Sequence, residues 1–516
     1  MDQYPVPPFR RRRFLGLAAA TAVVGLGTVG CTPSTGSSKA GGRLKIATSD
    51  ASPNDTLDPL RLERTTQILA ACMIYESLTD LDKNMKPVGR LAESFETPDG
   101  GVTWDFKLHS SVTFHDGKPL TPDDVIFSIS RALDPNEGSG NSLATQLKGI
   151  LRPQGIRAVD GKTVRFVLEK TYVPFPSAMA TRFARIYRAG TKDFARPMGT
   201  GPFVFESFKP GQSFAATRYD KYWGGAPKLD GVEAVNYANE STRLSAFMDS
   251  DVDLMFNLEA ASAPDILAAK GHTLLQEKNA QWIPLALDTT VKPFNDPNLV
   301  RAIKLAVDRD QVIKVGLGGY GSLGYDNPIA SNDFFSARLP QPTHDPDAAR
   351  KLLARAGYGN GLKLPTLTCL DFGPVTSMAL VLQQQLQAVG IRFDITRESA
   401  ATFWTDSWLK KPFYSNTYTR RVPDEILELC FTSNGGWNMS RRKDRDIDAA
   451  IKSAAKTTDV AKQKQQYAIA QRLIAQRDST IVSAHQHRLS ALAAKVSGVD
   501  TNPVHYFDLR KAGVST

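Results

Sequence analysis

Two periodicities follow one another in a single stretch of this chain, and together they restrict what it can fold into. Val102-Thr103-Trp104-Asp105-Phe106-Lys107-Leu108-His109 alternates, with Trp104, Phe106 and Leu108 on one side and Thr103, Asp105, Lys107 and His109 on the other. That is the pattern of a half-buried strand. The chain then reaches Thr121-Pro122-Asp123-Asp124, a helix start. The Thr121 hydroxyl suits the cap, Pro122 the first position and the two aspartates the electropositive first turn. The same exchange recurs. Gly42 to Ala47 and Thr163 to Leu168 read as strands, and a helix starting near Arg64 is expected to end at Tyr75-Glu76-Ser77-Leu78. Asp296-Pro297 opens a helix to Val307, and Asp345-Pro346 opens one that Gly357 stops. Val375 to Val389 is a helix closed by Gly390, with a strand expected over Ile391 to Thr396, and Ala461 to Ile474 is a polar-faced helix. Strands and helices interleave irregularly, with no internal repeat, so the fold class is α/β or α+β and neither a sandwich nor a bundle.

The N-terminus reads as an address. Arg10 to Arg13 precede an uncharged stretch from Phe14 to Ser38, too short and too glycine-rich in its apolar part for a stable spanning helix. Arg11-Arg12-Arg13-Phe14-Leu15 resembles a twin-arginine export signal, with Arg10 where Ser or Thr is usual. Thr28-Val29-Gly30-Cys31 resembles a bacterial lipobox, with Thr28 where Leu is usual. Residues 1–30 are therefore expected to be a signal peptide, Cys31 the lipidated residue and 31–41 a flexible tether. The chain's charge is +10, of which the first 30 residues supply +3. The rest is mild and interspersed with acids, which argues against nucleic acid as a partner. With 41% hydrophobic and 22% charged residues the body has ample core material. After Cys31 only Cys72, Cys369 and Cys430 remain, so at most one disulfide forms among them, and Cys369 with Cys430 is one possible pair.

Catalytic constellations are scarce. The zinc His-Glu-x-x-His, the Gly-x-Ser-x-Gly elbow, the phosphate-binding Gly-x4-Gly-Lys loop and Gly-x-Gly-x-x-Gly do not occur. Ser453-Ala454-Ala455-Lys456 fits Ser-x-x-Lys, which would put both side chains on one helical face, but its companion motifs are missing. His485-Gln486-His487 offers two imidazoles with no cysteine near; the plain reading is polar residues beside a strand. Arg441 to Asp446 is a solvated helix start. No enzyme activity, no cofactor and no metal are expected.

Several blocks, taken in order, resemble one family. They are Thr56-Leu57-Asp58-Pro59; Tyr75-Glu76-Ser77-Leu78; Leu91-Ala92-Glu93-Ser94-Phe95; Phe114-His115-Asp116-Gly117-Lys118-Pro119 running to Val125; Gly199-Thr200-Gly201-Pro202-Phe203; Tyr222-Trp223-Gly224-Gly225; Val300 to Arg309; and Asp345-Pro346 to Tyr358. The chain resembles the extracellular solute-binding proteins of ABC importers, of the large type that includes oligopeptide-, dipeptide- and nickel-binding proteins. That resemblance implies a two-lobe periplasmic-binding-protein fold with an extra domain inserted in the first lobe and a ligand cleft between the lobes. It implies a first lobe of residues 42–60, 200–281 and 488–516, an extra domain of 61–199 and a second lobe of 282–487, hinged near Trp282 and Arg488. It further implies a monomeric, lipid-anchored capture protein on the outer face of the cytoplasmic membrane, delivering a short peptide or related solute to permease subunits.

In peptide-binding members an aspartate shortly before a Pro-Asp step takes the ligand's α-ammonium group. Aligned on Pro423-Asp424, this chain has Arg421 there. A guanidinium repels an amine and offers a planar fork to a carboxylate. The expected ligand-binding residues are accordingly Arg421 or Arg420, the aromatic Trp404, Tyr418 and Trp437, the amides Asn416 and Asn438, and Ser49 and Asp50 after the first strand. Phe403, Trp408 and Tyr414 belong to the same aromatic cluster. The rival solute is a non-peptide anion or polyol, such as an opine or sugar conjugate. A serine hydrolase resting on Ser453 and Lys456, and a receptor or chaperone that presents a ligand to a sensor, are the competing functions.

Overall fold

A computed structural model describes residues 41–138, 140–502 and 506–515. The expected signal peptide, Cys31 and the expected tether as far as residue 40 lie outside the described residues.

The backbone of the fold is one mixed sheet of twelve strands that runs through two lobes. At its centre two long strands, Thr273–Leu287 and Ile481–Leu492, lie antiparallel to each other. On one side of them come Leu254–Leu258, Arg43–Thr48, Gly231–Asn236, Ser213–Arg218 and Phe203–Lys209; on the other, Phe413–Ser415, Leu367–Leu370 and Ile395–Glu398. Arg43–Thr48 is parallel to both its neighbours, as Leu367–Leu370 is to its own. Parallel strands are covered on both faces, and Leu44, Ile46, Leu367 and Cys369 are fully buried accordingly. A separate four-stranded antiparallel sheet, Ala92–Glu96, Thr103–Leu108, Thr163–Val167 and Ile156–Ala158, organises the inserted region. Trp104, Phe106 and Leu108 face its core as the alternation requires, beside Phe166 and Phe175.

The helix starts follow their punctuation. Thr121 and Asp124 form a capping box on Pro122–Leu133. Asp296 and Asp345 accept from Asn298 N and Ala348 N at 2.8 Å each, opening Pro297–Ala306 and Pro346–Arg355. Three expectations need correction. The first helix ends at Ile74, because Tyr75 turns to extended backbone and Glu76–Ser77 pairs as a short strand with Arg185–Ile186. The strand expected over 391–396 is two, since Ile391–Arg392 pairs with Leu362–Lys363 and Ile395–Glu398 with Leu367–Leu370. Ser453 and Lys456 do not share a helical face, because the helix Arg445–Ala454 stops between them and both are exposed. Cys369 and Cys430 are buried free thiols and do not pair with each other.

The two lobes meet in a way that defines a mouth. The register of the central pair shifts between Glu277 and Gln281, where Asn279 takes a left-handed φ of 58°. Below the shift Glu277 faces Arg488 at 3.1 Å, both buried. Above it Gln281 stands opposite Gln486, and Trp282 opposite His485.

Candidate functional site

The strand Arg43–Thr48 delivers the half-buried Ser49 and then Asp50, which adopts φ 68° and turns the chain away. Aspartate tolerates that conformation better than most residues. Thr65 N at the start of helix Thr65–Ile74 donates to Asp50 Oδ1 at 3.2 Å. Asp50 is exposed, and the protein packed around its carboxyl raises its pKa to about 6, against the pull of Thr65 and Arg64.

From the other lobe, Tyr418–Thr419 pairs with Gln281–Trp282, and the chain continues through Arg420 and Arg421 into the helix Pro423–Phe431. Arg420 is spoken for: it lies 3.5 Å from Asp333 Oδ2 and donates to the carbonyls of Asn332 and Lys83 at 3.2 and 3.4 Å. Arg421 is paired with the buried Glu425 one helical turn on, and its guanidinium lies 5.0 Å over the Trp437 ring. Trp282, Tyr418 and Trp437 form a continuous stack behind it, with centroids 4.9 and 5.7 Å apart. The Tyr418 hydroxyl accepts from Trp408 Nε1 at 2.6 Å. Trp404, 38% exposed, leans edge-on against Trp408. Phe403 and Tyr414 are core residues. Asn416 is fully buried, and Asn438 spends its amide on the carbonyls of Thr432 and Arg442 at 3.0 and 2.8 Å.

Beside Arg420 and Arg421 lies a cavity of about 60 Å³, lined by Thr419, Arg420, Arg421, Glu425, Ser142, Arg182 and Tyr506 among others, and not by Ser49 or Asp50. Three arginines therefore face one small space. Arg420 has Asp333 and Arg421 has Glu425, whereas Arg182 makes no ion pair or hydrogen bond among the described residues. Burial and the neighbouring Arg421 charge lower its pKa from the usual guanidinium value. Tyr506, held 4.8 Å from Phe256 and under the Arg488 guanidinium at 4.5 Å, has its phenol pKa raised by burial while Arg488 and Arg182 pull it down. On the crossing strands, where Gln281 stands opposite Thr419 and Gln486, Gln281 Oε1 and Gln486 Oε1 are buried without a hydrogen-bond partner among the described residues, as is Thr417 Oγ1. Such atoms are costly unless something satisfies them.

Of the residues expected from sequence, Arg420 and Arg421 line this cavity, whereas Ser49, Asp50, Trp404, Asn416, Tyr418, Trp437 and Asn438 do not; Arg182, Ser142, Glu425 and Tyr506 line it without having been singled out. Glu425 stood within reach of notice, four residues after Arg421 on a helix. Arg182 and Tyr506 carried no local signal. The other motifs resolve structurally. His485 and His487 sit within the strand Ile481–Leu492, with burial lowering the pKa of His485 to about 4, and no cluster of His, Cys, Asp or Glu that could hold a metal occurs among the described residues. His115 Nε2 bonds Gly201 O at 3.0 Å, and Asp116 pairs with Arg188.

The geometry described so far, two lobes joined by paired crossing strands around a charged cleft, is what a binding protein needs. The family model for bacterial extracellular solute-binding proteins, family 5, matches residues 86–441. The chain belongs to that family. It is a substrate-binding protein, not an enzyme. It is 27% identical to Heme-binding protein A of Haemophilus influenzae, over 95% of this chain and 97% of that one. It is 26% identical to the glutathione-binding protein GsiB of Escherichia coli K12, covering 84% and 89%. Among solved structures it is similar to the binding protein AgaA of A. tumefaciens R10 in complex with agropinic acid, at 24% identity and a TM-score of 0.78, covering 92% of this chain and 99% of that one. That last likeness speaks for the fold: two lobes of mixed sheet and helices.

Proposed function

We propose that this family member captures a short peptide or related small solute between its lobes and hands it to the permease subunits of an ABC importer. The lobes of this reading are 42–60 with 200–281 and 488–516, and 282–487, with 61–199 as the extra domain. The hinge is the crossing pair near Trp282 and Arg488. The observation that carries the reading is Arg182: of three arginines around the interlobe cavity it alone lacks a carboxylate among the described residues. A ligand carboxylate completes it, with Arg421 and Tyr506 alongside. Asp50 on the first-lobe wall takes the opposite, ammonium end, and the unpartnered Gln281, Gln486 and Thr417 atoms receive amide groups. A cavity of about 60 Å³ is far below the ~300–1,000 Å³ of small-molecule sites, so the lobes part before the solute enters. The likeness to a glutathione-binding protein supports a peptide. A non-peptide anion is the second reading, favoured by Arg421 where peptide-binding members carry aspartate.

Outside the cell the chain is held by lipid on Cys31 and acts as a monomer. The test is mass spectrometry of the gently purified protein, native against denatured. A set of peptide masses is expected; a single non-peptidic acid would select the second reading. Arg182→Gln should then bind the recovered solute about 10- to 150-fold more weakly in calorimetric titration, the equivalent of the ~1.5–3 kcal/mol of a charged hydrogen bond. Unchanged affinity would remove Arg182 from the site.

A further inference from the structure

The helix Pro423–Phe431 begins beside the cleft, and its second residue, Asp424, points away from the cavity into the inserted region. There Asp424 Oδ2 accepts from the Tyr172 hydroxyl and, at 2.9 Å, from Gln146 Nε2; Gln146 also donates to the Tyr172 oxygen at 2.8 Å. Asp424 is 6% exposed. It makes no ion pair among the described residues. The groups facing it are all neutral or acidic: Tyr172 and Gln146 from the inserted region, Tyr467 from helix Val460–Arg477, and Glu425 beside it on its own helix. Arg421, three residues earlier in the chain, is occupied by Glu425. Around this contact the same two bodies touch again, through a cluster of Leu81, Met85, Ala180 and Val422, through Val173 N to Ala455 O at 2.8 Å, and through Phe334 N to Asn84 O at 2.9 Å.

We propose that Asp424 is a proton-operated latch: its carboxyl group, buried against Tyr172 and Gln146 when the lobes close, makes closure more favourable in acid than near neutrality. The physical reason is that parting the lobes returns the carboxyl to water, where ionisation costs nothing, whereas closing encloses it with no cation to balance it. Burial pushes its pKa up to about 7 in the closed form, with Glu425 adding to the shift and the two hydrogen bonds opposing it. An exposed aspartate ionises near 3.8. The closed form therefore holds a proton that the open form releases. Between about pH 4 and 7 the closing equilibrium weakens by up to tenfold for each unit the pH rises, and above about 7 it is level. The latch rests on the hinge reading but not on what the solute is.

Small-angle X-ray scattering of the purified protein without added solute, from pH 5 to pH 8, reads this directly. The radius of gyration of the wild type should grow as pH rises toward 7. Asp424→Asn, which keeps the shape and loses the charge, should stay compact throughout. Tyr172→Phe withdraws a donor that opposes the upward shift, so the closed-form pKa rises and the expansion should continue to higher pH than in the wild type. The latch is overturned if Asp424→Asn expands with pH as the wild type does. It is equally overturned if the wild type keeps one radius across the range. Should added solute then still compact the wild type, the hinge reading survives the loss of the latch.

Discussion

Arg421 shows how a single charge can be conspicuous in sequence and half-hidden in structure. It stands where an aspartate is expected in peptide-binding members, but Glu425 neutralises it and Trp437 supports it. Its first effect is therefore on stability. Arg421→Met leaves Glu425, 3% exposed, without its partner and should cost about 3–5 kcal/mol in urea unfolding, the range for breaking one side of a buried pair. The double variant Arg421→Met with Glu425→Leu should recover most of that, because neither charge is then stranded. If the single variant costs under about 1 kcal/mol, the pair is solvent-screened and the account is wrong. Arg182 is the opposite case. Ala180-Thr181-Arg182-Phe183 looks like any surface run, and only the meeting of residues 142, 182, 421 and 506 gives its charge a meaning. That meeting depends on folding over long chain separations, which no local pattern encodes.

The sequence blocks that carry the family resemblance turn out to be neighbours in space. Glu76 accepts from Thr200 Oγ1 at 3.0 Å, Tyr222 Oη at 2.8 Å and Trp223 Nε1 at 2.8 Å, and it pairs with Arg90. Gly201 N also bonds Ile74 O at 2.9 Å, tying down the end of the first helix, and a Cβ at Gly199 would stand 1.9 Å from that same oxygen. So the segments read as Tyr75-Glu76-Ser77-Leu78, Gly199–Phe203 and Tyr222–Gly225 form one buried joint between the inserted region and the first lobe. Glu76→Gln should destabilise the protein by about 3–5 kcal/mol, because it leaves Arg90 half-enclosed without a counter-charge. Solute affinity per folded molecule should not move; a change there would mean the joint also positions the cleft. Helix starts were legible in this chain because a cap is a local arrangement of a few residues, as at Thr121 and Asp345. Strand partners were not. Nothing in Ile391 to Thr396 says that the chain changes neighbours at Phe393 and Asp394.

At the scale of the whole molecule, the family's two-lobe plan was visible in the order of its blocks, while the contents of the cleft were not. The lipid anchor proposed at Cys31 makes a prediction that the cleft does not touch. Cys31→Ser should move the protein from the detergent-extracted membrane fraction to the soluble one on cell fractionation, with its solute unchanged; retention in the membrane would argue for an uncleaved anchor instead. The crossing strands carry a last consequence. Thr273–Leu287 and Ile481–Leu492 are bonded to each other along most of their length, with the ladder interrupted only between Glu277 and Gln281 and between Trp282 and Pro284. On the proposed hinge, two connections fastened side by side would bend together about one line, like the leaves of a door, and resist sliding or corkscrewing. Each swing would then bring the same residues face to face, so that arrival of cargo would be a matter of diffusion into an open mouth, with little orientational search left to perform once it is inside.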